Sequence, residues 1–331
     1  MSTKPDAPSS ASPPESPPPA PADRAQRSTA SASMPPMRRW LASLRVYSFP
    51  ASAVPVVLAV VLAAAASREI LWWTVPVYAV AAILFHAGTN VLNDYFDYLH
   101  GVDGPDDEDP THVISRGIVT PRFMFITGHL YFVLAVVLGS AIALVRGPVF
   151  WITGMLGAAG AYFYTNRRVS LKYRALGDLT VFLLMGPVMV WIGTWAIAGW
   201  RGWFPFVAAL PPAFMVTLIL HGNNMRDIPA DTKAGVDTLA RRLGFARSKL
   251  FFALLVALAY GTVPVLIAIG RAPAGVALSV ASFPVAIGLV RRVMRASGGG
   301  ELMDLPVRSA QLHLLTGILY TVGFVLGGVV G

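Results

Sequence analysis

The stretch that decides the fold is "NVLNDYFDYLHGVD", residues 90–103, which carries two amides and three carboxylates. It closes an apolar segment that begins near Leu71 and reads "LWWTVPVYAVAAILFHAGT". Only 13% of the chain is charged, against about 25% in ordinary soluble domains. Acidic residues are therefore scarce, and the chain concentrates them at the end of an apolar helix.

The composition is that of a membrane protein. Apolar residues make up 55% of the chain and the mean hydropathy is +0.60. Several apolar stretches reach the length of about 20 residues that crosses a bilayer as a helix. We therefore predict an all-α integral membrane protein with nine transmembrane helices. The predicted spans are residues 46–66, 72–93, 122–145, 148–165, 176–199, 203–223, 249–269, 274–293 and 309–330.

The amino-terminal segment differs from the rest of the chain. Residues 1–36 are rich in Pro, Ser and Ala, and they lack the apolar run of about 7–15 residues that a signal peptide needs. We predict a disordered tail there, followed by one membrane domain over residues 37–331. The chain has no cysteine, which excludes disulfides and thiolate metal sites.

The basic residues predict an orientation. Positive charge marks the loops that face the cytoplasm, and with nine spans all but four of the 26 basic residues fall on one side. The four exceptions are Arg68, Arg146, Arg201 and Arg271. This asymmetry places the amino terminus in the cytoplasm and explains the net charge of +9. No basic cluster interleaved with aromatic residues indicates nucleic-acid binding.

Most acidic residues beyond the tail lie in two cytoplasmic clusters, after predicted spans 2 and 6. On a helix, Asn90, Asp94 and Asp97 fall within about 60° of one another. The second cluster repeats the pattern within about 80°, and its members are Asn223, Asp227 and Asp231. Stacked carboxylates repel unless a cation lies between them, and oxygen ligands suit magnesium or calcium. The twin stripes indicate an internal duplication, whereas the run "DDED" at 106–109 and Asp237 are typical of a solvated loop.

These motifs resemble those of the UbiA superfamily of intramembrane prenyltransferases. "NDYFDYLHGVD" is similar to its first aspartate-rich motif, and "NNMRDIPAD" to its second. The six-residue step from Asp97 to Asp103 resembles the 1,4-dihydroxy-2-naphthoate prenyltransferase branch, which makes menaquinone. So do the stretches "NNMRDIPADTKAGVDTLARRLG", "YTNRRVSLKYRALGDLTVFLLMGPV" and "SFPASAVPVVLAV". The resemblance runs from about residue 40 to the end, and nine helices is the number of the family.

The resemblance implies transfer of a polyprenyl group from an allylic diphosphate to an electron-rich aromatic ring. It implies that two magnesium ions, bridged by the diphosphate, are held by Asp94, Asp97, Asp227 and Asp231, with Asn90, Asn93 and Asn223 alongside. Asp103 would be a further metal ligand or a neighbour of one. Candidates to hold the diphosphate are Arg226, Arg116, Arg168 and Lys172. Tyr164 is the best-placed aromatic face for the allylic cation, and Asp178 is a candidate for orienting the acceptor or assisting proton transfer.

Two departures from the branch pattern leave the acceptor open. The branch usually has Lys where this chain has Val236, and its Gly-Pro-x-Arg is replaced by "GPDDEDPTHVISRG", with Arg116 as the nearest cationic substitute. The alternative acceptors are 4-hydroxybenzoate, homogentisate, a chlorophyllide, a haem or a glycerol phosphate ether. A transporter is the alternative from another class, but it usually carries its acids near the bilayer midplane. The sequence predicts neither the prenyl chain length nor the oligomeric state.

Overall fold

The computed structural model describes residue 41 and residues 44–102, 113–166 and 169–327. The predicted tail, Asp103 and Arg168 lie outside the described residues. Within those ranges the chain is helical, and its only β-type pairing is an isolated bridge between Arg174 and Asp237. The prediction of an all-α fold is therefore confirmed for the part of the chain that the structure describes.

The described helices range from 5 to 30 residues in length. In chain order they are α1 (Pro50–Ala65), α2 (Thr74–His100), α3 (Pro121–Arg146), α4 (Pro148–Thr165), α5 (Gly177–Leu183), α6 (Met189–Ala198), α7 (Phe204–Ala208), α8 (Leu210–Arg226), α9 (Ile228–Lys233), α10 (Leu239–Ala268), α11 (Phe283–Arg295) and α12 (Leu305–Gly327). Short 3₁₀ turns precede α1, α5, α11 and α12. Helices α2 and α3 pack side by side, and so do α8 and α10.

Seven helical stretches among the described residues are long and apolar enough to cross a membrane. The chain is therefore a multi-pass membrane protein. The two other predicted spans coincide with α4 and with the pair α7–α8. Prolines 211 and 212 fall where α8 begins, so the apolar segment is divided into two shorter helices. The count of nine spans remains a prediction.

The outer surface of the bundle is apolar. Only 17% of the most apolar part of α3 is buried inside the protein, and the side chain of Leu144 is 88% exposed. Surface of this kind is stable where lipid tails, which are as apolar as leucine, replace water. The described helices thus present a lipid-facing shell around a core built from several clusters of buried side chains.

A π-helical turn, Leu184–Val188, separates α5 from α6. Pro187 lies inside this turn, and proline removes a helical hydrogen bond and crowds the preceding turn. Gly186 departs from helical geometry and touches α8 so closely that an added Cβ would lie 2.4 Å from the Cβ of Ala213. The absence of a side chain at this position therefore permits the close packing of α8 against the turn.

The two acidic stripes differ in their backbone. Asn90, Asp94 and Asp97 all lie within the continuous helix α2, so the predicted stripe forms there. The second stripe does not lie on one helix, because α8 ends at Arg226 and Asp231 belongs to the short helix α9. Pro229 at the start of α9 accounts for the break, since proline cannot continue a helical hydrogen-bond ladder. The assumption of one continuous second stripe was wrong.

We expect the substitution Gly186→Ala to lower the free energy of unfolding by about 1–3 kcal/mol, the usual cost of overpacking. The reason is the contact with Ala213, which leaves no space for a methyl group. Thermal unfolding of the purified protein in detergent measures the effect. Gly288→Ala is the matched control, because nothing lies within 4 Å of an added Cβ there. Equal melting temperatures for both variants would contradict the packing argument.

Candidate active site

Asp97 is the centre of a buried polar cluster. Lys172 Nζ donates to Asp97 Oδ2 at 2.7 Å, and Asn93 Nδ2 donates to the same oxygen at 2.7 Å. The Tyr173 hydroxyl donates to Asp97 Oδ1. Lys172 also donates to Asn93 Oδ1 at 3.2 Å. The short 3₁₀ turn before α5 thus brings a cation onto the first acidic stripe.

Asp94 is paired with a cation from the other side. The guanidinium of Arg45 donates to Asp94 Oδ1, and both side chains are buried. Arg45 has a left-handed backbone with φ of 50°, and Ser48 Oγ donates to its carbonyl at 2.8 Å. Asn90 Nδ2 in turn donates to Ser48 Oγ at 3.1 Å and to the Leu44 carbonyl at 3.3 Å. The segment before α1 is therefore fastened to the first stripe.

The second cluster has its own partners. The neighbouring Arg226 forms a bidentate ion pair with Asp227, in which Nε donates to Oδ1 at 2.7 Å and Nη2 donates to Oδ2 at 2.9 Å. Asp231 accepts a hydrogen bond of 2.9 Å from Thr238 Oγ1. Burial, together with the nearby charge of Asp227, raises the pKa of Asp231 to about 6, although Lys172 opposes the shift. Asp231 thus carries its charge at neutral pH in a place where that charge is poorly solvated.

Lys172 lies between the two clusters. Burial lowers the pKa of Lys172, but the attraction of Asp97, Tyr164 and Asp231 outweighs burial, so the net pKa lies above the usual value. One ammonium group therefore interacts with a carboxylate from each stripe. The facing arrangement of the two stripes around one site stays a prediction.

A cavity of about 270 Å³ opens beside these clusters. The polar side chains in its lining include Arg45, Ser48, His86, Asn90 and Asn223. The remaining wall is mostly apolar and includes Ala135, Ile142, Phe150, Ala158, Met189 and Ile192. Tyr164, which is buried, lies in the wall as well. The arrangement suits a molecule with one charged end and one long apolar end.

The donor set fits magnesium. The Oδ1 atom of Asn223 is buried and has no hydrogen-bond partner among the described residues, and its residue lines the cavity. Within those residues no three His, Asp or Glu side chains converge on one point. Magnesium usually takes one or two carboxylates and completes its shell with water and phosphate oxygens. The separate carboxylates of the two stripes match that requirement when a diphosphate supplies the missing oxygens.

The other predicted residues have different surroundings. Arg116 is exposed in the segment before α3. Asp178 is buried against His221, with 2.8 Å between Oδ1 and Nδ1, and it is not among the described residues that line the cavity. Sequence reasoning missed Arg45, which it used only as a marker of orientation, and it missed Thr238. Thr238 could have been found from the sequence, because threonine is a favoured helix-cap residue and Thr238 directly precedes α10.

Comparison with known proteins decides the family. The profile of the UbiA prenyltransferase family matches residues 52–301. The chain belongs to the UbiA prenyltransferase family. A UbiA prenyltransferase domain-containing protein 1 from Xenopus tropicalis is 30% identical over 297 residues, which cover 87% of this chain and 81% of that protein. The 1,4-dihydroxy-2-naphthoate octaprenyltransferase of Mycobacterium tuberculosis is 30% identical over 286 residues, or 86% of this chain and 96% of that protein.

The fold agrees with this assignment. The structure of a UbiA homolog from Archaeoglobus fulgidus bound to GPP and Mg²⁺ superposes with a TM-score of 0.56. The match covers 85% of this chain and 99% of the other at 14% sequence identity, so it supports the fold alone. Membership in the UbiA family makes this chain a prenyltransferase enzyme.

We expect Lys172→Met to lower the free energy of unfolding by about 3–5 kcal/mol, because it leaves the buried Asp97 without its cation. The double variant Lys172→Met with Asp97→Asn regains most of that loss, since no unpaired buried charge remains. Thermal unfolding in detergent measures both. Lys233→Met, at an exposed lysine, is the control. A double variant no more stable than Lys172→Met would contradict the ion-pair argument.

Proposed function

We propose that this prenyltransferase moves a polyprenyl group from its allylic diphosphate to 1,4-dihydroxy-2-naphthoate, in the pathway that makes menaquinone. The observation that carries the proposal is the mainly apolar cavity whose lining includes Asn90 of the first acidic cluster and Asn223 of the second. A polyprenyl diphosphate has the same division between a charged head and an apolar tail. The head lies at the acidic clusters and the tail lies along the apolar wall.

The reaction needs a leaving group whose charge is neutralised. The bond between the first prenyl carbon and the diphosphate oxygen breaks, and its electron pair leaves with the diphosphate. The allylic cation forms a carbon–carbon bond to the electron-rich ring. The ring carboxylate leaves as carbon dioxide, so that atoms and charge balance. The product is a prenylated naphthoquinol without the carboxylate.

The residues of the two acidic clusters are proposed to bind the magnesium ions that neutralise the diphosphate. Asp94, Asp97, Asp227 and Asp231 would hold two magnesium ions with the help of nearby amides. Those amides are Asn90, Asn93 and Asn223. Magnesium, when bound, neutralises the charge that builds up on the departing diphosphate. The magnesium and the geranyl diphosphate named for the Archaeoglobus fulgidus homolog support this part of the proposal.

Cationic side chains complete the diphosphate site. Lys172 and Arg226 reach the acidic clusters already, and either can turn to phosphate oxygens when a substrate arrives. Arg168 and Asp103, outside the described residues, are proposed for the same site on the family resemblance alone. Tyr164 presents an aromatic ring in the cavity wall, where a ring face stabilises an allylic cation without attacking it.

The choice of acceptor rests on the relatives. The Mycobacterium tuberculosis protein carries the naphthoate in its name and matches over nearly its whole length. The stretch from Asn223 to Gly244 also resembles the naphthoate branch more than other branches. Val236 departs from that branch, and the name of the Xenopus tropicalis protein specifies no acceptor. Other aromatic acceptors, 4-hydroxybenzoate and homogentisate among them, are therefore included in the test.

The proposed enzyme sits in the cell inner membrane with nine spans and an active site on the cytoplasmic side. The positions of the basic residues support the orientation, and the helices α4 and α7–α8 support the two spans beyond the seven described. A water-soluble diphosphate head group reaches the acidic clusters from the cytoplasm, while its tail stays within lipid. Residues 1–36 are proposed as a tail without a catalytic role.

The first test is a competition between acceptors. Purified protein in liposomes receives a polyprenyl diphosphate, magnesium and equal amounts of the three aromatic acids, and mass spectrometry identifies the product. We expect a prenylated naphthoquinol, lost in EDTA and reduced at least about 100-fold in Asp231→Asn. We expect that variant to keep the melting temperature of the parent protein. Above the pKa of Asp231, burial of the charged carboxylate lowers the free energy of unfolding, and a neutral asparagine avoids that cost. Another prenylated acceptor would move the enzyme to a different pathway.

The absence of cysteine allows a direct test of the orientation. Single cysteines at Ser67 and at Lys233, in loops on opposite predicted sides, are exposed to a thiol reagent that does not cross membranes. In intact cells we expect labelling of Ser67→Cys alone. In permeabilised cells both variants react. Labelling of Lys233→Cys in intact cells would reverse the proposed orientation and move the active site to the outer face.

A further inference from the structure

Asp178 and His221 form a buried pair between α5 and α8. His221 is fully buried on α8, and Asp178 lies in the first turn of α5 with only 3% of its surface exposed. His221 Nδ1 lies 2.8 Å from Asp178 Oδ1, and Nε2 lies 3.3 Å from the Ser248 carbonyl oxygen. The ring of Phe251 packs edge-on against the imidazole. One histidine thus joins α5, α8 and α10.

Ser248 lies just beyond a break in α10. Gly244 has φ of 73° and interrupts the helix, a backbone conformation that favours glycine. Across the break, Ser248 Oγ donates to the carbonyl of Ala240 at 3.0 Å. Both residues are fully buried. This hydrogen bond fixes the first turn of α10 relative to the part of the helix that His221 holds.

The first turn of α10 reaches the second acidic cluster. Thr238 caps the helix, since its Oγ1 accepts from the backbone N–H of Arg241 at 3.4 Å and donates to Asp231 Oδ2 at 2.9 Å. Asp231 itself lies on α9, a helix of six residues. A helix that short has little stability of its own. The orientation of the Asp231 carboxylate therefore depends on Thr238.

We propose that Asp178, His221 and Ser248 are positioning residues for Asp231. They form a relay of hydrogen bonds that runs from α5 through α8 to the capped end of α10. The relay sets Thr238, and Thr238 aims the carboxylate at the cation. The inference rests on the proposed function, in which Asp231 binds magnesium. It gives Asp178 a role that runs through its contact with His221.

The test compares two buried serines that each donate one hydrogen bond to a backbone carbonyl. Ser248→Ala removes the bond across the break in α10. Ser279→Ala removes the bond to the Val276 carbonyl at 2.7 Å, away from the acidic clusters, and is the matched control. Ser248→Thr keeps a hydroxyl. Three quantities are measured for each variant. Electron paramagnetic resonance reports Mn²⁺ binding in the presence of geranyl diphosphate. The other two are the Mg²⁺ concentration at half-maximal activity and the melting temperature.

We expect Ser248→Ala to weaken Mn²⁺ binding and raise the half-maximal Mg²⁺ concentration by about tenfold, a usual effect of removing support behind a metal ligand. The rate at saturating Mg²⁺ changes far less. Ser248→Thr restores metal binding, and Ser279→Ala leaves it unchanged even where its melting temperature falls. Equal metal binding in Ser248→Ala and Ser279→Ala would overturn the relay.

A double variant tests whether the relay acts through Thr238. Thr238→Val removes the hydroxyl that bonds Asp231, and we expect it to weaken metal binding by itself. Adding Ser248→Ala then causes no further loss, because residues that act through one another are not additive. If the double variant bound metal more weakly than Thr238→Val, by the full factor that Ser248→Ala causes alone, the relay would not act through Thr238. If Asp231→Asn kept full metal binding and activity, Asp231 would not be a magnesium ligand and that part of the proposed function would be wrong. This outcome differs from equal metal binding in Ser248→Ala and Ser279→Ala, which would contradict the relay alone.

Discussion

The structure depends on the pairing of buried carboxylates with cations at one end of a membrane bundle. Asp94 and Asp97 are almost fully buried, and an isolated charge in such surroundings costs several kcal/mol. Their cations come from separate parts of the chain, since Arg45 precedes α1 and Lys172 lies between α4 and α5. The acidic end of α2 can therefore be buried only when the segments before α1 and before α5 pack against it.

The same requirement explains the shape of the cavity. The lining next to Arg45 is polar and includes Ser48, His86 and Asn90, whereas elsewhere the helices present apolar side chains to one another and to lipid. The π-helical turn around Gly186 and Pro187 bends the α5–α6 segment, and residues on both sides of the bend, Met185 and Met189, line the cavity. A helix kept straight would pack its neighbours more uniformly. The division between polar and apolar lining residues thus follows from the arrangement of the helices as well as from the residue types.

Local patterns in the sequence predicted the helical membrane fold and the first acidic stripe. Asn90, Asp94 and Asp97 recur at helical spacing in an uninterrupted stretch, so simple periodicity suffices there. The same reasoning failed at the second stripe because Pro229 breaks the helix. The partners Arg45 and Lys172 lie 49 and 75 residues from their carboxylates along the chain, and no local pattern reports such a contact. The contacts among Asp178, His221 and Ser248 could not be predicted for the same reason, since they join residues on three helices.

Ion pairs of this kind do little for stability on their own. Replacing a buried pair by apolar residues of similar size is often neutral or favourable, so the pairs at this site are explained better by their chemistry than by the fold. Arg45 supports this argument, because it holds its pair with Asp94 from a left-handed backbone, a conformation that costs about 1–3 kcal/mol. That cost is tolerated where a guanidinium has to face a particular carboxylate. The ion pairs hold the acidic residues in place and keep their charge balanced.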